Sequence, residues 1–272
     1  MSDSLKVGAV VYDPKVTVVW EKIVDFIKEN GDGFEVEPVF FDDYRNQVQG
    51  LLDGEVDLAW NSPLANLEAE LKSGSRVVHA CMRDTDRDLH SVLVTRKDSD
   101  IKSVSDLKGQ KIAFGALDSP QARLIPIQYL REEGLAYGKD YEEVRFDLGL
   151  GLDGDHVGGE KDALQSVQSG ENAAGFAIAG NYEGWLKDGT LDENQVEVIG
   201  QTKPFDHCIF TGRPGLDQNL IDQFTKVLMK MDYDKPEDKE ILDLEGLKEW
   251  LPGRTSNYEE IRQAVDYLNF FD

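Results

Sequence analysis

Residues 109–124 contain a pattern that can bind an anion. A short apolar run predicts a β-strand, and Asp118, Ser119 and Pro120 then predict the start of an α-helix. Ser119 suits the N-cap position because its hydroxyl can accept a hydrogen bond from a first-turn N–H, and Pro120 suits the first helical position. Unbonded N–H groups and the positive end of the helix dipole favour an anion at such a turn. An ordinary capped turn without a ligand has the same pattern and is the alternative.

A second helix start, at Ser62, follows the apolar run at residues 56–60. Ser62 and Ser119 can each donate hydroxyl and backbone N–H bonds to an oxyanion. Asn61 and Gln121, in the same two turns, can add amide donors. The two turns therefore supply neutral hydrogen-bond donors of the kind that an oxyanion needs.

Two histidines stand directly beside aspartates. His156 follows a Gly/Asp-rich loop, and its imidazole can donate to an anion while Asp155 orients the ring. The alternative for His156 is a solvent-exposed loop position. His207 follows Asp206 on a predicted strand, where successive side chains point to opposite faces, so that one of the two can reach a ligand. His156 and His207 are also the candidate general bases if the protein is an enzyme.

A metal site is a weaker alternative for the same residues. His156 and Glu160 are spaced i, i+4, and together with Asp206, His207 or Cys208 they can form a metal site. Scattered histidines and carboxylates without tight spacing are a weak metal signal, so neither a metal nor a cofactor is predicted. Nucleophile-elbow and Walker A motifs do not occur in the sequence.

The composition is that of a folded, strongly acidic protein. The chain has 272 residues, of which 40% are hydrophobic, and a formal net charge of −24. Such acidity argues against nucleic acid and anionic membrane surfaces as partners, since both attract basic patches. No apolar run approaches the roughly 20 residues that span a bilayer, so membrane insertion is not expected. Cys81 and Cys208 are flanked by apolar residues, which is typical of buried thiols.

The first residues, Met1 to Lys6, lack the basic region, the apolar region and the cleavage site of a secretory signal peptide. As written, the sequence therefore predicts a cytoplasmic protein. If a leader was removed before this sequence begins, the expected compartment is extracytoplasmic or periplasmic.

Alternating strand and helix patterns predict an α/β fold with mostly parallel sheets flanked by helices. The pattern restarts near residue 98 and returns near residue 205. We therefore expect two lobes joined by a two-strand hinge. Residues 1–96 and 206–272 form the predicted lobe 1, and residues 97–205 form the inserted lobe 2.

Three stretches resemble the type II periplasmic solute-binding proteins, in their phosphate, phosphite and phosphonate branch. Residues 56–65 resemble the family's strand, turn and helix with an aromatic residue and a proline. Residues 106–115, followed by Asp118 and Ser119, match its block at the start of the second lobe, and Asp155-His156 lies where the family carries a histidine element. The family's Ser-Thr-Ser-Gly anion loop is replaced here by residues 119–122, in which only Ser119 keeps a hydroxyl.

The resemblance implies a ligand held between the two lobes, where strand-end loops and helix N-termini meet. The predicted ligand-binding residues are Tyr12, Trp60, Asn61, Ser62, Asp118, Ser119, Gln121, Asp155, His156, Asn181, Tyr182, Asp206 and His207. For Tyr12 and Trp60, simple packing inside a lobe is an equally open alternative.

Two functions remain open at this point. The resemblance implies a monomeric substrate-binding protein that captures a small phosphate-like or phosphonate-like anion, closes by a hinge motion and delivers the anion to an ABC permease. The alternative is a cytoplasmic enzyme on the same fold that abstracts a proton with His156 or His207. The absent signal peptide and the changed anion loop favour the enzyme, whereas the breadth of the likeness favours the binding protein. A cytoplasmic ligand sensor is a third class.

Overall fold

The computed structural model describes residues 4–153 and 159–271. Strands and helices alternate along most of this length. The strands are β1 (Ser4–Val10), β2 (Glu35–Phe41), β3 (Leu58–Asn61), β4 (Val78–His79), β5 (Cys81–Arg83), β6 (Ser91–Arg96), β7 (Lys111–Phe114), β8 (Glu142–Arg145), β9 (Ala174–Ile178), β10 (Val196–Gln201), β11 (Ile209–Gly212) and β12 (Trp250–Pro252). The helices are α1 (Lys15–Asn30), α2 (Tyr44–Asp53), α3 (Pro63–Ser73), α4 (Ile125–Glu132), α5 (Glu160–Gln168), α6 (Ala179–Lys187), α7 (Gln218–Leu228), α8 (Pro236–Glu245) and α9 (Glu259–Leu268).

The chain divides into two compact units, as the sequence predicted, but with different boundaries. Unit 1 contains the chain up to Arg87 and Asp206–Ser256, and unit 2 contains Asp88–Phe205 and the chain from Asn257 onward. The predicted first boundary, at residue 96, was wrong because β6 pairs with β9 and β10 of unit 2.

The predicted placement of the C-terminal segment in lobe 1 was also wrong. Helix α9 packs on α4 of unit 2, where the Gln128 side chain donates to Gln263 Oε1 at 2.9 Å. The guanidinium of Arg131 also lies 4.3 Å from the centre of the Tyr267 ring. The amphipathic pattern of α9 predicted a helix with a buried face, but a single sequence does not say which sheet covers that face.

In unit 1 the five-stranded sheet has the order β2-β1-β3-β11-β4. Strands β1, β2 and β3 pair in parallel, whereas β11 is antiparallel to both β3 and β4. Four strands therefore run in one direction, and β11 alone is reversed. A separate antiparallel pair, β5 with β12, carries Arg83.

Unit 2 repeats this arrangement, with the order β10-β6-β9-β7-β8. Strands β7, β8 and β9 pair in parallel, while β6 is antiparallel to β9 and β10. In both units the reversed strand is the first sheet strand after the chain has entered that unit from the other one. The predicted α/β fold with mostly parallel sheets is thus confirmed.

Helix α1 shows how the apolar spacing produces these layers. Its buried residues, Val19, Trp20, Ile23, Phe26 and Ile27, recur at helical spacing and face the core of unit 1. Several aromatic rings pack together within this core, and the Trp60 and Phe210 rings have centroids 4.6 Å apart. Among the described residues, none of the helices has the length and apolar character needed to cross a membrane.

Candidate anion-binding site

The turn at Ser62 in unit 1 is a capped helix start, as the sequence predicted. Strand β3 ends at Asn61, and Pro63 occupies the first turn of α3. Ser62 Oγ accepts the backbone N–H of Ala65 at 3.2 Å, and Ser62 is fully buried. Because the hydroxyl oxygen accepts this bond, the hydroxyl proton can be donated to another group.

The turn at Ser119 in unit 2 has the same local geometry. Ser119 Oγ accepts the backbone N–H of Ala122 at 3.1 Å, and Ser119 is fully buried. The helix that it starts opens with a widened turn, Pro120–Leu124, before α4 begins. Widened turns of this type are frequent at functional sites. Ser91 Oγ donates to the backbone oxygen of Gln121 at 2.5 Å and holds this turn against β6.

The two turns share the sequence Ser-Pro-X-Ala, at residues 62–65 and 119–122. In each, the serine is the N-cap and the alanine three residues later donates to its hydroxyl. From the sequence, each turn was predicted separately. This short repeat is the signal that relates them, and each unit contains one copy.

Asn61 presents a buried donor beside the Ser62 turn. Its Oδ1 accepts from Gln47 Nε2 at 2.8 Å, while its Nδ2 has no hydrogen-bond partner among the described residues. Asn61 is fully buried. A buried donor left unpaired costs about 1–3 kcal/mol, so Nδ2 is a group that a bound acceptor would satisfy.

Asp118 ties the Gly/Asp-rich loop to the Ser119 turn. Its Oδ2 accepts the backbone N–H groups of Gly151 and Asp153, at 2.7 and 3.0 Å. Asp118 is only 5% exposed, and no partner of its Oδ1 lies within the described part of the chain. The predicted residues Asp155 and His156, further along this loop, lie outside the described residues.

Asn181 is held by a buried carboxylate. Glu160, the first residue of α5, is fully buried, and its Oε2 accepts from Asn181 Nδ2 and from the backbone N–H of Ile178, both at 3.0 Å. The sequence suggested Glu160 only as a metal ligand beside His156, which lies outside the described residues. The structure instead makes Glu160 the group that orients Asn181.

Tyr182 lies in the apolar cluster of unit 2 and is 8% exposed. Burial, together with the negative charge of Glu197, raises the pKa of its hydroxyl. This position favours packing over ligand contact, and a binding role for Tyr182 stays a prediction.

Asp206 forms a two-bonded ion pair in unit 1. Arg254 donates to its carboxylate through Nε and Nη2, each at 2.7 Å, and Asp206 is 1% exposed. Such forked pairs are among the strongest charge-assisted hydrogen bonds. Arg254 was not predicted from the sequence, since nothing local relates residues 48 positions apart.

His207 belongs to a buried polar cluster with Asp86 and Cys208. Its Nδ1 lies 3.1 Å from Cys208 Sγ and 3.6 Å from Asp86 Oδ1. Both neighbours thus approach the same ring nitrogen. A base that activates a nucleophile uses one ring nitrogen for the nucleophile and the other for the orienting carboxylate, so the cluster does not have that arrangement.

Arg83 neutralises Asp86 and also contacts Trp60. Its Nε and Nη2 donate to the Asp86 carboxylate at 2.6 and 3.1 Å. Burial by itself raises the pKa of Asp86. The charge of Arg83 and the hydrogen bonds from His207 and Arg83 outweigh burial and bring this pKa down to about 2. The Arg83 guanidinium carbon lies 5.2 Å from the centre of the Trp60 ring, a cation–π contact.

Trp60 and Tyr12 differ in exposure. Trp60 is 8% exposed and packs among the aromatic residues of the unit 1 core, which favours the packing alternative. Tyr12 is 42% exposed and lines a cavity of about 180 Å³ within unit 1, together with Lys15, Arg83 and Glu245. Binding roles for both residues stay predictions.

The folding pattern and the capped turns define a class of protein. Two α/β units, each with a five-stranded sheet in which the strand directly after the crossover is reversed, are the architecture of the type II periplasmic-binding-protein class. A sequence profile described as "ABC transporter, phosphonate, periplasmic substrate-binding protein" matches residues 9–258, and the chain belongs to this family.

Individual relatives are consistent with that membership. A probable ABC transporter phosphite binding protein, PhnD1, from Prochlorococcus marinus is 27% identical, with 97% of this chain and 90% of the relative aligned. The phosphate-import protein PhnD of Mycolicibacterium smegmatis is 26% identical, over 78% of this chain and 64% of the relative. By their names, these relatives are transport-binding proteins and not enzymes.

Solved structures confirm the fold. The Prochlorococcus marinus PhnD1 complex with methylphosphonate superposes with a TM-score of 0.67 at 21% identity and covers 99% of both chains. XAC2383 of Xanthomonas citri, bound to ATP, gives a TM-score of 0.71 at 17% identity, over 99% of this chain and 98% of that protein.

Proposed function

We propose that this chain captures a small phosphorus oxyanion, of the size of phosphite, phosphate or methylphosphonate, for an ABC transporter. The observation that carries the proposal is the buried Ser119 turn, whose serine caps a helix in the block that resembles the family's anion loop. The names of the aligned relatives support the ligand class, since they include phosphite and phosphate.

Binding rests on neutral donors and helix dipoles in this proposal. Arg123, the cation nearest in sequence to Ser119, already pairs with Glu143 Oε1 at 2.5 Å and donates to Tyr137 Oη at 3.1 Å. The hydroxyls of Ser62 and Ser119 and the Asn61 amide are neutral donors that can bind the anion instead. A helix N-terminus favours an anion even without a neighbouring cation.

The remaining assignments follow from the same proposal. Gln121 supplies an amide donor in place of a hydroxyl of the family loop, and His156 with Asp155 supplies a further donor. Asp118, Asn181, Tyr182, Asp206 and His207, with Tyr12 and Trp60, complete the proposed surroundings of the ligand. We also propose that the protein is a monomer, is not an enzyme and works outside the cytoplasm with a permease partner.

The test measures oxyanion binding by isothermal calorimetry to the full chain and to two serine variants. Phosphite, phosphate and methylphosphonate are the ligands, and acetate is the negative control. Ser119→Ala should weaken binding at least tenfold. Ser103→Ala is the matched control, because Ser103 is itself exposed, caps a short helical turn of the same unit and bonds nearby groups. The proposal fails if none of the three ligands binds, or if the two variants bind alike.

Closure of the two units on the ligand, which the resemblance implies, stays a prediction. Small-angle X-ray scattering of the chain with and without a bound oxyanion tests it. We expect a smaller radius of gyration with ligand, and an unchanged radius at saturation would argue against hinge closure.

A further inference from the structure

Three different kinds of metal donor meet in unit 1, at the chain segment that leads into β11. We propose that Asp86, His207 and Cys208 bind a borderline divalent transition metal, with Zn²⁺ as the expected ion. The inference does not depend on the proposed transport function. It uses a carboxylate, an imidazole and a thiol, which together are typical ligands of zinc and its neighbours in the first transition row.

The spacing of the three donor atoms carries the inference. Asp86 Oδ1, His207 Nδ1 and Cys208 Sγ all lie within 4.8 Å of one another. The Nδ1 atom is 3.6 Å from Oδ1 and 3.1 Å from Sγ. Zinc bonds of about 2.0–2.3 Å place the donors of a tetrahedral site roughly 3.3–3.6 Å apart. The Nδ1–Oδ1 and Nδ1–Sγ distances are therefore close to those of a tetrahedral zinc site.

Burial distinguishes this cluster from a surface group of acidic residues. Asp86, His207 and Cys208 are 2%, 7% and 0% exposed. Within residues 4–153 and 159–271, this group of histidine, cysteine and carboxylate side chains has the spacing required to hold a metal. In such buried surroundings, water competes only weakly with a metal for the side-chain donors. Cys208 is a free thiol, so its sulfur is not used in a disulfide.

The backbone holds the ligands in place before a metal arrives. The His207 N–H donates to the backbone oxygen of Asp86 at 2.8 Å, so the two chain segments are already joined. Arg83 holds the Asp86 carboxylate through both oxygens, with Nε on Oδ2 at 2.6 Å and Nη2 on Oδ1 at 3.1 Å, and such outer-sphere partners orient metal ligands. A metal on Oδ1 shares that oxygen with the longer of the two bonds. The positive charge of Arg83 also opposes the metal, so we expect weaker binding than at a closed four-ligand zinc site.

The position of the cluster indicates that a bound metal would cross-link two segments of unit 1. Asp86 lies just before the chain leaves unit 1, and His207 and Cys208 lie just after it returns. A metal bound there joins the outgoing and the returning segment through three metal–ligand bonds, one to Asp86 and two to His207 and Cys208. Three protein ligands leave one coordination position for water.

Cobalt substitution provides the test, because Co²⁺ is coloured and prefers the same ligands as Zn²⁺. Full-length protein is kept reduced and titrated with Co²⁺, and absorption is recorded from the near ultraviolet to the visible. We expect a sulfur-to-cobalt charge-transfer band that added Zn²⁺ removes. Cys208→Ser should abolish the band, whereas Cys81→Ser, which removes the other buried thiol, should retain it. Absence of the band in the wild type, or its survival in Cys208→Ser, overturns the proposal.

A second variant covers the case in which Cys208→Ser does not fold, as judged by circular dichroism. His207→Gln should weaken Co²⁺ binding at least tenfold, and unchanged binding overturns the proposal. Calorimetry with phosphite on chelator-treated wild type separates the two proposed sites. If oxyanion binding fails while the cobalt band persists, only the proposed transport function is contradicted. If the cobalt band is absent while phosphite binds, only the proposed metal site is contradicted.

Discussion

Ser62 and Ser119 make the same hydrogen bond, because each Oγ accepts the N–H of the alanine three residues later, at 3.2 and 3.1 Å. Their strands nevertheless occupy different places in the two sheets. Strand β3, before Ser62, is central in unit 1, whereas β7, before the Ser119 turn, lies beside the central strand β9 in unit 2. The shared geometry therefore arises from the local sequence Ser-Pro-X-Ala and not from a shared topological position.

Replacement of Ser62 by alanine should reduce stability as well as ligand binding. The Ala65 N–H loses its acceptor, and loss of an N-cap costs about 1 kcal/mol. Urea unfolding followed by circular dichroism measures this loss. Ser62→Thr retains a hydroxyl acceptor at the cap and should recover most of the stability. Normal oxyanion affinity in Ser62→Ala would remove Ser62 from the ligand site.

The Asp206–Arg254 pair should respond unequally to loss of either partner. Arg254→Met leaves the Asp206 carboxylate buried without that guanidinium, and removal of one partner of a buried pair costs about 3 kcal/mol. Asp206→Asn should cost less, because the Arg254 side chain is 31% exposed and can turn toward water. Denaturant unfolding of both variants gives the comparison. Equal losses would mean that burial of the carboxylate does not determine the energy of this pair.

Asp86 should contribute to acid sensitivity. Its folded-state pKa is about 2 against an ordinary 3.8, because burial, which raises the pKa, is outweighed by the charge of Arg83 and the hydrogen bonds from His207 and Arg83. A lowered folded-state pKa stabilises the protein above pH 3.8, and this stabilisation is lost as the pH falls toward 2. The shift corresponds to about 2 kcal/mol.

Comparison of the wild type with Asp86→Asn isolates this contribution from that of the other carboxylates. The stability difference between the two proteins should shrink by about 2 kcal/mol between roughly pH 6 and pH 2. Unfolding by urea at several pH values measures it. A difference that does not change with pH would show that Asp86 titrates alike in the folded and unfolded chain.

Gly159 should not tolerate a side chain. Its φ of +82° belongs to the left-handed region, and an added Cβ would collide with the backbone oxygen of Phe146 and approach Gly115 Cα. Gly189 has a similar φ of +79°, but an added Cβ meets nothing within 4 Å. Gly189→Ala should therefore cost only the left-handed strain, about 1–2 kcal/mol, and Gly159→Ala clearly more. Thermal unfolding of the two variants tests this, and similar melting temperatures would contradict the close approach of Phe146 to Gly159.

Local features of this chain were predictable from its sequence, because their causes are local. The N-caps at Ser62 and Ser119 follow from a serine directly before a proline, and the apolar face of α1 follows from helical periodicity. The family resemblance rests on similar short blocks. By contrast, Arg254 lies 48 residues from Asp206, and Arg83 contacts a tryptophan 23 positions earlier.

The placement of the C-terminal helix α9 was also not predictable from the sequence, because it depends on contacts between distant residues. Its sequence contains an apolar face, but Gln263 and Tyr267 contact residues 135 and 130 positions earlier. Long-range contacts of this kind depend on which sheet the chain reaches, and local propensity does not encode that choice. The buried cluster of Asp86 with His207 and Cys208 was hidden for the same reason.

The reversed strand β11 has a consequence for the order in which the protein is built. Strand β4 ends at His79, but β11, which joins it to β3, begins only at Ile209, about 130 residues later. All five strands of the unit 2 sheet, by contrast, lie between Ser91 and Gln201. As the chain emerges from the ribosome, the inserted unit can complete its sheet while the N-terminal unit still lacks its fourth strand. Loops of this length are slow to close, so nascent unit 1 stays open to chaperones for longer.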